Sequence, residues 1–250
     1  MMGIPYLAAI GSLMYASMGT RPDITFAVQH LSQFSSNPGM AHWTAAQRVI
    51  RYLNTTKVAK LTLGGRQPII LRGWTDADWA ANTDDRKSIS GYAFTLGSGA
   101  ISWSAKKQPT VATSSCEAEY IACDHATKEA MWLWALLRAL GQSVSTATKL
   151  KFTPEMKTQV YCDNQGTISL TKDSSFHARS KHIDVKHHYI CERVAAGDIY
   201  FEYLPTSEMV ADVLTKSLPR PKHEKFSRSL GLEDPTKGDK YIPASVEGEC

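Results

Sequence analysis

A change in hydrophobic pattern near Gly64, Gly65 and Pro68 is the strongest constraint on the fold of this 250-residue chain. Before these residues, apolar side chains recur every three or four positions, as they do on one face of an α-helix. After them come short runs with the composition of β-strands, and then a mixture of helical and strand patterns. The sequence therefore predicts a small all-helical unit followed by an α/β unit.

The predicted elements follow from these patterns. Helices are expected over residues 6–17, 22–35 and 42–53, and strands over 69–75, 90–96 and 100–104. A long amphipathic helix over 115–140 follows, then a strand over 159–163, a short helix from Gln165, a helix over 181–195, a strand over 198–204 and a helix over 208–216. Strands that alternate with helices in this way predict an α/β fold with a mixed five-stranded sheet and flanking helices.

Composition narrows the class of protein. The chain is 43% hydrophobic and 21% charged, which is ordinary globular usage, and its net charge of +4 allows a polyanionic partner without indicating one. The five cysteines are scattered, without the spacing of a zinc site, which predicts reduced thiols and an intracellular location, cytoplasmic or nuclear. We expect no export signal and no membrane partner, because no segment has the pattern that either requires.

Four acidic residues stand in separate local motifs: Asp76 in WTDADW, Glu119 in SSCEAEY, Asp163 in YCDNQG and Asp212 in VADVLTK. Asp76 and Asp163 each end a predicted strand, where open α/β sheets place ligand sites. Asp78 shares the strand face of Asp76 and competes with it. As single residues, Asp76 and Asp78 could equally be turn formers and Asp163 a helix cap.

The choice between Glu117 and Glu119 follows from helix geometry. Residues two apart on a helix point about 200° away from each other, so only one of the two faces the sheet. Glu119 heads an apolar stripe, whereas Glu117 stands three residues after Ser114, which is capping-box spacing. An ionised carboxylate on an apolar face needs a cation or a salt bridge. Asp212 is a similar case, because Asp is a mediocre helix former and its neighbours are apolar.

Four carboxylates at one place repel one another unless divalent cations neutralise them. Oxygen ligands without His or Cys suit Mg²⁺ or Mn²⁺. Two such ions, about 3.5 to 4 Å apart, support in-line displacement at phosphorus. The acidic motifs therefore predict a metal-dependent phosphodiester hydrolase.

From Tyr6 to Leu218 the sequence resembles the ribonuclease H domain of copia-type LTR retrotransposon Pol polyproteins, with the thumb and connection region that precedes it. GSLMYASMGTRPDITFAV and HWTAAQRVIRYLNTT carry the resemblance in the first part, and the acidic motifs carry it in the second. The resemblance implies a helical thumb/connection-like region over residues 1–66, a ribonuclease H-like domain over 67–232 and a flexible tail over 233–250. It selects Asp76 over Asp78. The implied catalytic residues and ligands of two Mg²⁺ ions (or Mn²⁺) are Asp76, Glu119, Asp163 and Asp212.

The implied activity is that of a retrotransposon-derived endonuclease that hydrolyses the RNA strand of RNA/DNA hybrids. The expected partners are such a hybrid and a reverse transcriptase polymerase region. Basic residues near the predicted site could follow the phosphates, although they could also serve only solubility. The predicted nucleic-acid-binding residues are Lys106, Lys107, Arg179, Lys181 and Lys186.

Two departures bear on activity. Many ribonucleases H carry a histidine in the loop before the last acid, but here residues 204–207 read Leu-Pro-Thr-Ser. His182, His187 and His188 lie on the preceding predicted helix, where a solvated basic face is the simpler interpretation.

No paired aspartates occur in an apolar strand, so we expect no polymerase activity. The alternative to a nuclease is a catalytically silent hybrid-binding or assembly module.

Overall fold

The computed structural model describes residues 3–64, 70–81, 84–143, 157–172 and 184–236, with the side chains of 141–143 and 184–187 left out. The predicted boundary between residues 66 and 67 lies outside the described residues, as does most of the predicted tail over 233–250. No helix within the described ranges is long and apolar enough to span a membrane.

The first part of the chain is helical, as predicted. Its helices are α1 (Tyr6–Gly19), α2 (Thr25–Ser32) and α3 (Met40–Thr55). The predicted helix over 22–35 is divided, because Pro22–Ile24 form a 3₁₀ turn ahead of α2. The three helices share a core that includes Ile10, Val28 and Val49, and the hydroxyl of Tyr6 donates a hydrogen bond to the carbonyl of Leu31 at 2.8 Å.

The second part is built on a mixed sheet. The chain forms strands β1 (Lys60–Leu61), β2 (Leu71–Asp78), β3 (Ile89–Leu96), β4 (Gly99–Lys107), β5 (Thr158–Cys162), β6 (Ile199–Tyr203) and β7 (Leu232–Glu233). The five-stranded sheet has the order β4-β3-β2-β5-β6, in which β2, β3 and β4 are antiparallel neighbours and β5 runs parallel to both β2 and β6. This arrangement confirms the predicted mixed five-stranded sheet. The separate pairing of β1 with β7 was not predicted, because two-residue strands carry too little pattern.

Helices cover both faces of the sheet. They are α4 (Ser115–Ser143), α5 (Gln165–Lys172), α6 (Asp184–Ala195), α7 (Asp212–Thr215) and α8 (Arg220–Ser229). On one face, Tyr120, Cys123 and Ala126 of α4 pack against Phe94 and Val160. On the other, residues of α7 and α8 pack in a second cluster, which includes Ala93, Val213, Leu214 and Phe226. The sheet is therefore the middle layer of three.

The predicted helix over 208–216 is wrong in extent, since the observed helix α7 begins only at Asp212. The preceding residues form tight turns with hydrogen bonds three residues apart, such as that from the amide of Glu208 to the carbonyl of Pro205 at 2.8 Å. These turns bury Met209 and Ala211 completely. Helix α8 was not predicted, because its sequence is mostly polar and its buried residues are Phe226 and Ser227.

The helical part packs on the α7 and α8 side of the sheet. The indole nitrogen of Trp103 in β4 donates a hydrogen bond to the carbonyl of Ser17 at 2.9 Å. On α8, Nε2 of His223 lies 3.0 Å from the carbonyl oxygen of Asp23. These contacts tie the first helices to the layer that carries Asp212.

Candidate active site

Asp76 lies near the end of β2 and is almost fully buried, with 1% of its surface exposed. The hydroxyl of Thr215 donates a hydrogen bond to its Oδ2, and Nζ of Lys216 lies 3.4 Å from the same oxygen. The pKa of Asp76 is raised to about 6, mainly by burial; Lys216 lowers the pKa, and the charges of Asp212 and Asp163 contribute to the rise. The surroundings of Asp76 therefore favour its protonated form over its charged form.

Glu119 reaches the same end of the sheet from the first turns of α4, with 6% of its surface exposed. Its Oε2 has no hydrogen-bond partner among the described residues. The pKa of Glu119 is raised to about 10, mainly by burial and also by the nearby charges of Asp76 and Asp163. Such a carboxyl group is either protonated or in need of a cation.

Glu117 has the capping role that its spacing predicts. Its Oε2 accepts hydrogen bonds from the amide and the hydroxyl of Thr113, at 2.8 and 2.6 Å. Its own amide donates to Oγ of Ser114 at 3.1 Å. These bonds fix the start of α4 and leave Glu119, two residues on, directed toward the other acids.

Asp163 directly follows β5 and is only partly buried. The hydroxyl of Thr206 donates a hydrogen bond to its Oδ2 at 2.7 Å. The start of α5 is capped by Asn164, whose Oδ1 accepts a hydrogen bond from the amide of Thr167 at 2.9 Å. The capping role that was open to Asp163 is therefore taken by its neighbour.

Asp212 is the first residue of α7 and is fully buried. Two lysines neutralise it: Nζ of Lys216 lies 2.8 Å from Oδ1, and Nζ of Lys222 lies 2.5 Å from Oδ2. Lys222 also donates a hydrogen bond to the carbonyl of Thr206 at 3.0 Å, in the loop that holds Asp163. Asp76 and Asp212 raise the pKa of Lys216, although its burial acts in the opposite direction.

All four predicted acids are brought to one end of the sheet. Asp76 and Asp212 both contact Lys216. A carboxylate oxygen of Glu119, one of Asp163 and Sγ of Cys162 lie within 4.8 Å of one another. The competitor Asp78 is half-buried, and burial raises its pKa as well, while Lys216 acts in the opposite direction. A cluster of carboxylate oxygens is the kind of site that suits hard divalent cations.

The predicted nucleic-acid-binding residues are only partly described. Lys106 is exposed at the end of β4, close to the site, because its neighbour Ala105 pairs with Gly91 and Gly91 pairs with Asp76. Lys107 forms an ion pair with Asp85 at 2.7 Å and donates a hydrogen bond to Gln33. Arg179, Lys181 and His182 lie outside the described residues, and the side chains of Lys186 and His187 do too. His188 is described and exposed.

Sequence reasoning missed Thr215, Lys216 and Lys222 as parts of the site. The spacing of Asp212 and Lys216, four residues apart on a helix, was a usable signal for an ion pair. Lys222 gave no such signal, because α8 was not predicted and only the turn between α7 and α8 brings its ammonium group back to Asp212.

The sequence is similar to transposon polyproteins. The chain is 45% identical over 229 residues to the Retrovirus-related Pol polyprotein from transposon TNT 1-94 of Nicotiana tabacum, covering 92% of this chain and 16% of that protein. It is 39% identical over 227 residues to the corresponding polyprotein from transposon RE2 of Arabidopsis thaliana, covering 91% and 15%. It thus spans about one sixth of the length of these relatives. No protein-family model matches the chain.

A shorter relative is matched over nearly its whole length. The chain is 49% identical over 133 residues to Secreted RxLR effector protein 161 of Plasmopara viticola, covering 53% of this chain and 94% of that protein.

Solved ribonucleases H give weaker matches. The ribonuclease H1 of Halobacterium salinarum NRC-1 is 14% identical with a TM-score of 0.38, covering 58% of this chain and 93% of that one. LC11-RNase H1 in complex with an RNA/DNA hybrid is 21% identical with a TM-score of 0.36, over 58% and 93%. The sequence identity to the transposon polyproteins extends much further, over 92% of the chain. These identities confirm the predicted resemblance: over 91–92% of its length the chain is similar to one segment of copia-type retrotransposon Pol polyproteins.

Proposed function

We propose that the chain is a metal-dependent ribonuclease H, an endonuclease that hydrolyses the RNA strand of RNA/DNA hybrids. The observation that carries the proposal is the gathering of Asp76, Glu119, Asp163 and Asp212, from β2, α4, the end of β5 and α7, at one end of the sheet. Three of the four are buried. Lys216 and Lys222 offset only part of this buried negative charge, and Oε2 of Glu119 has no hydrogen-bond partner among the described residues, so the cluster favours a bound cation.

The donor set fits Mg²⁺ or Mn²⁺. Carboxylate oxygens are the ligands that these hard cations prefer. Oε2 of Glu119 has no hydrogen-bond partner among the described residues, so binding a cation there breaks no hydrogen bond of that oxygen. Asp76, Glu119, Asp163 and Asp212 would hold two ions. Bound there, the ions supply the activation of a water molecule and the neutralisation of charge on the leaving oxygen.

The chain's own residues orient these ligands. Thr215 holds Oδ2 of Asp76, and Thr206 holds Oδ2 of Asp163. Asp163 is the most exposed of the four acids, which makes its side the side of substrate approach. We propose that Lys106, exposed at the end of β4, contacts a phosphate of the bound strand.

The proposal also covers how the substrate is recognised, the protein partner and the location in the cell. A hybrid would be recognised through the 2′-hydroxyls of its RNA strand and through backbone contacts, so cleavage is largely independent of sequence. Because the polyprotein relatives are much longer than this chain, a reverse transcriptase polymerase region is the proposed protein partner. The described cysteines are free, and a reducing location, cytoplasm or nucleus, is part of the same proposal.

A cleavage assay tests the function. Purified protein is incubated with a hybrid labelled on its RNA strand, with and without Mg²⁺, beside RNA/RNA and DNA/DNA duplexes. We expect cleavage of the hybrid's RNA strand only, and a loss of roughly a hundredfold or more in rate for Asp163→Asn, since metal ligation contributes several kcal/mol. Asp198→Asn is the matched control, because Asp198 pairs with Arg193 at the opposite end of the sheet and its substitution should leave the rate unchanged.

A silent hybrid-binding module is the second candidate. The ion pairs of Lys216 and Lys222 with Asp212 favour it, because the cluster is partly neutralised without any metal. Binding of the hybrid by both wild type and Asp163→Asn, without cleavage by either at any Mg²⁺ concentration, would replace the nuclease with this module.

A further inference from the structure

A buried thiol lies beside the carboxylates. Cys162 is the last residue of β5 and is fully buried. Its Sγ, a carboxylate oxygen of Glu119 and one of Asp163 all lie within 4.8 Å of one another. Hydrolysis by the four acids has no use for a thiol, and Mg²⁺ does not favour sulfur. Cys162 therefore calls for an explanation of its own.

One of the two carboxylate oxygens of Glu119, beside this thiol, is unpartnered in the described part of the chain. Oε2 of Glu119 has no hydrogen bond among the described residues, although only 6% of the residue is exposed. A buried carboxylate oxygen without a donor is costly unless it meets a proton or a cation. The Glu119 carboxylate and the Cys162 thiol thus lie close together. Asp163, beside them, is partly exposed to solvent.

We propose that Glu119, Cys162 and Asp163 form a binding site for Zn²⁺ or a similar thiophilic divalent cation. One sulfur and two carboxylate oxygens, with water as a fourth ligand, make a tetrahedral set. Bonds of about 2.0 to 2.3 Å require ligand atoms to lie roughly 3.5 Å apart, so the present separations close by modest side-chain rotation. On binding, the Cys162 thiol releases its proton to solvent and its sulfur bonds to the cation.

Cys123 lies behind the site. It stands one turn after Glu119 on α4, is fully buried, and forms a hydrogen bond with Cys162. We assign Cys162 as the sulfur ligand because its Sγ lies among the carboxylate oxygens, and Cys123 as its neighbour in the core.

The proposed Zn²⁺ site shares Glu119 and Asp163 with the proposed Mg²⁺ site, so a bound Zn²⁺ ion affects catalysis. Zn²⁺ binds nitrogen, oxygen and sulfur ligands more tightly than the hard cations do, and here it would draw Glu119 and Asp163 away from catalysis. Zn²⁺ therefore acts as an inhibitor in competition with Mg²⁺. This consequence rests on the proposed function, whereas binding of the cation does not.

Titration with Cd²⁺ tests the binding directly, because a cadmium–thiolate bond absorbs in the ultraviolet. We expect the metal-free, reduced protein to develop this band up to one equivalent of Cd²⁺. Cys162→Ser should abolish the band, while Cys191→Ser, which alters a thiol that contacts the carbonyl of Leu170 instead, should retain it. Glu119→Gln keeps the shape of the side chain and the thiol, and should weaken Cd²⁺ binding at least about tenfold.

Absence of the band in the wild type, or its persistence in a folded Cys162→Ser protein, would overturn the site. Should Cys162→Ser fail to fold, an unchanged Cd²⁺ affinity in Glu119→Gln overturns it equally. In the cleavage assay, Zn²⁺ should inhibit the wild type at concentrations that leave Cys162→Ser active. A cadmium band without cleavage of the hybrid would support the cation site and overturn the proposed function. Cleavage of the hybrid without a cadmium band would support the proposed function and overturn the cation site.

Discussion

Gly91 and Thr215 approach each other so closely that a Cβ atom on Gly91 would lie 2.6 Å from Cγ2 of Thr215 and 3.0 Å from Cβ of Leu214. Gly91 pairs with Asp76 across β2 and β3. Thr215 belongs to α7, which begins at Asp212, and its hydroxyl bonds to Asp76. The missing side chain at Gly91 therefore allows α7 to rest on the sheet and to hold Asp212 beside Asp76.

We expect Gly91→Ala to lower the free energy of unfolding by about 1–3 kcal/mol, because α7 must move to admit the methyl group. The same movement separates Asp212 from Asp76, so Mg²⁺ affinity should fall as well. Denaturant unfolding and calorimetric Mg²⁺ titration measure the two effects. Gly11→Ala is the control: a Cβ there meets nothing within 4 Å, and alanine inside α1 should stabilise by about 0.5–1 kcal/mol. A Gly91→Ala protein as stable as wild type would show that α7 is not seated by this contact.

The metal-free protein should lose stability as pH rises. The pKa of Asp76 is raised from 3.8 to about 6 by burial, so the fold favours its protonated form. That contribution is complete below about pH 4 and is lost as pH rises through 6. A shift of about 2 units corresponds to a few kcal/mol at most. Glu119 adds to the trend over a wider range, since burial raises its pKa to about 10.

Thermal unfolding in a chelator between pH 4 and 8 measures this loss. Asp76→Asn should flatten the profile between pH 4 and 6, because the titrating group is gone. Added Mg²⁺ should raise the melting temperature more at pH 8 than at pH 5, since the cation favours the ionised carboxylates. Metal-free stability that increases over pH 4 to 6 specifically through Asp76 would show that burial does not disfavour its charged form.

Much of the site was predictable from the sequence, and for identifiable reasons. The apolar stripe of α4 distinguished Glu119 from Glu117, because helical spacing decides which side chain faces the sheet. The end of β5 could also be predicted from the sequence, since the strand pattern stops at Asp163. Local pattern carries this information, and the structure has Glu117 at the helix cap as its spacing predicts.

The parts that could not be predicted depend on contacts between distant segments. Asp212 was expected inside a helix but begins one, because the tight turns before it follow from how Met209 and Ala211 pack in the core. Lys222 reaches Asp212 only through the turn between α7 and α8. The role of Gly91 depends on α7, which lies more than a hundred residues away along the chain. No window of local sequence contains these relationships.

Removing one partner of the buried ion pair in the helical part should be strongly destabilising. Nη2 of Arg21 lies 2.7 Å from Oδ2 of Asp23, and the hydroxyl of Tyr52 donates to the same oxygen at 2.7 Å. Arg21→Met leaves the buried Asp23 without its cation, for an expected loss of about 3–5 kcal/mol. Arg220→Met, which breaks the exposed pair with Glu224, should cost under about 1 kcal/mol. Similar losses for both variants in denaturant unfolding would mean that Asp23 finds another partner.

Lys216 and Lys222 should stabilise the metal-free site and compete with metal. Each ammonium group contacts Asp212, and that of Lys216 also lies near Asp76. Lys216→Met removes a charged hydrogen bond from a buried carboxylate, so in a chelator we expect a loss of about 1–3 kcal/mol. Lys222→Met should behave in the same way. Thermal unfolding without metal measures both losses.

With Mg²⁺ present, the Lys216→Met protein should recover its stability and bind the ion several-fold more tightly, because the Lys216 ammonium group no longer has to be displaced from Asp76 and Asp212. Lys225→Met is the matched control, since Lys225 lies on α8 with Lys222 but pairs with the half-exposed Glu208. That variant should shift neither the metal-free stability by more than about 1 kcal/mol nor the Mg²⁺ affinity. Calorimetric titration separates the alternatives: weaker Mg²⁺ binding by Lys216→Met would mean that the lysine orients the carboxylates for the ion and does not compete with it.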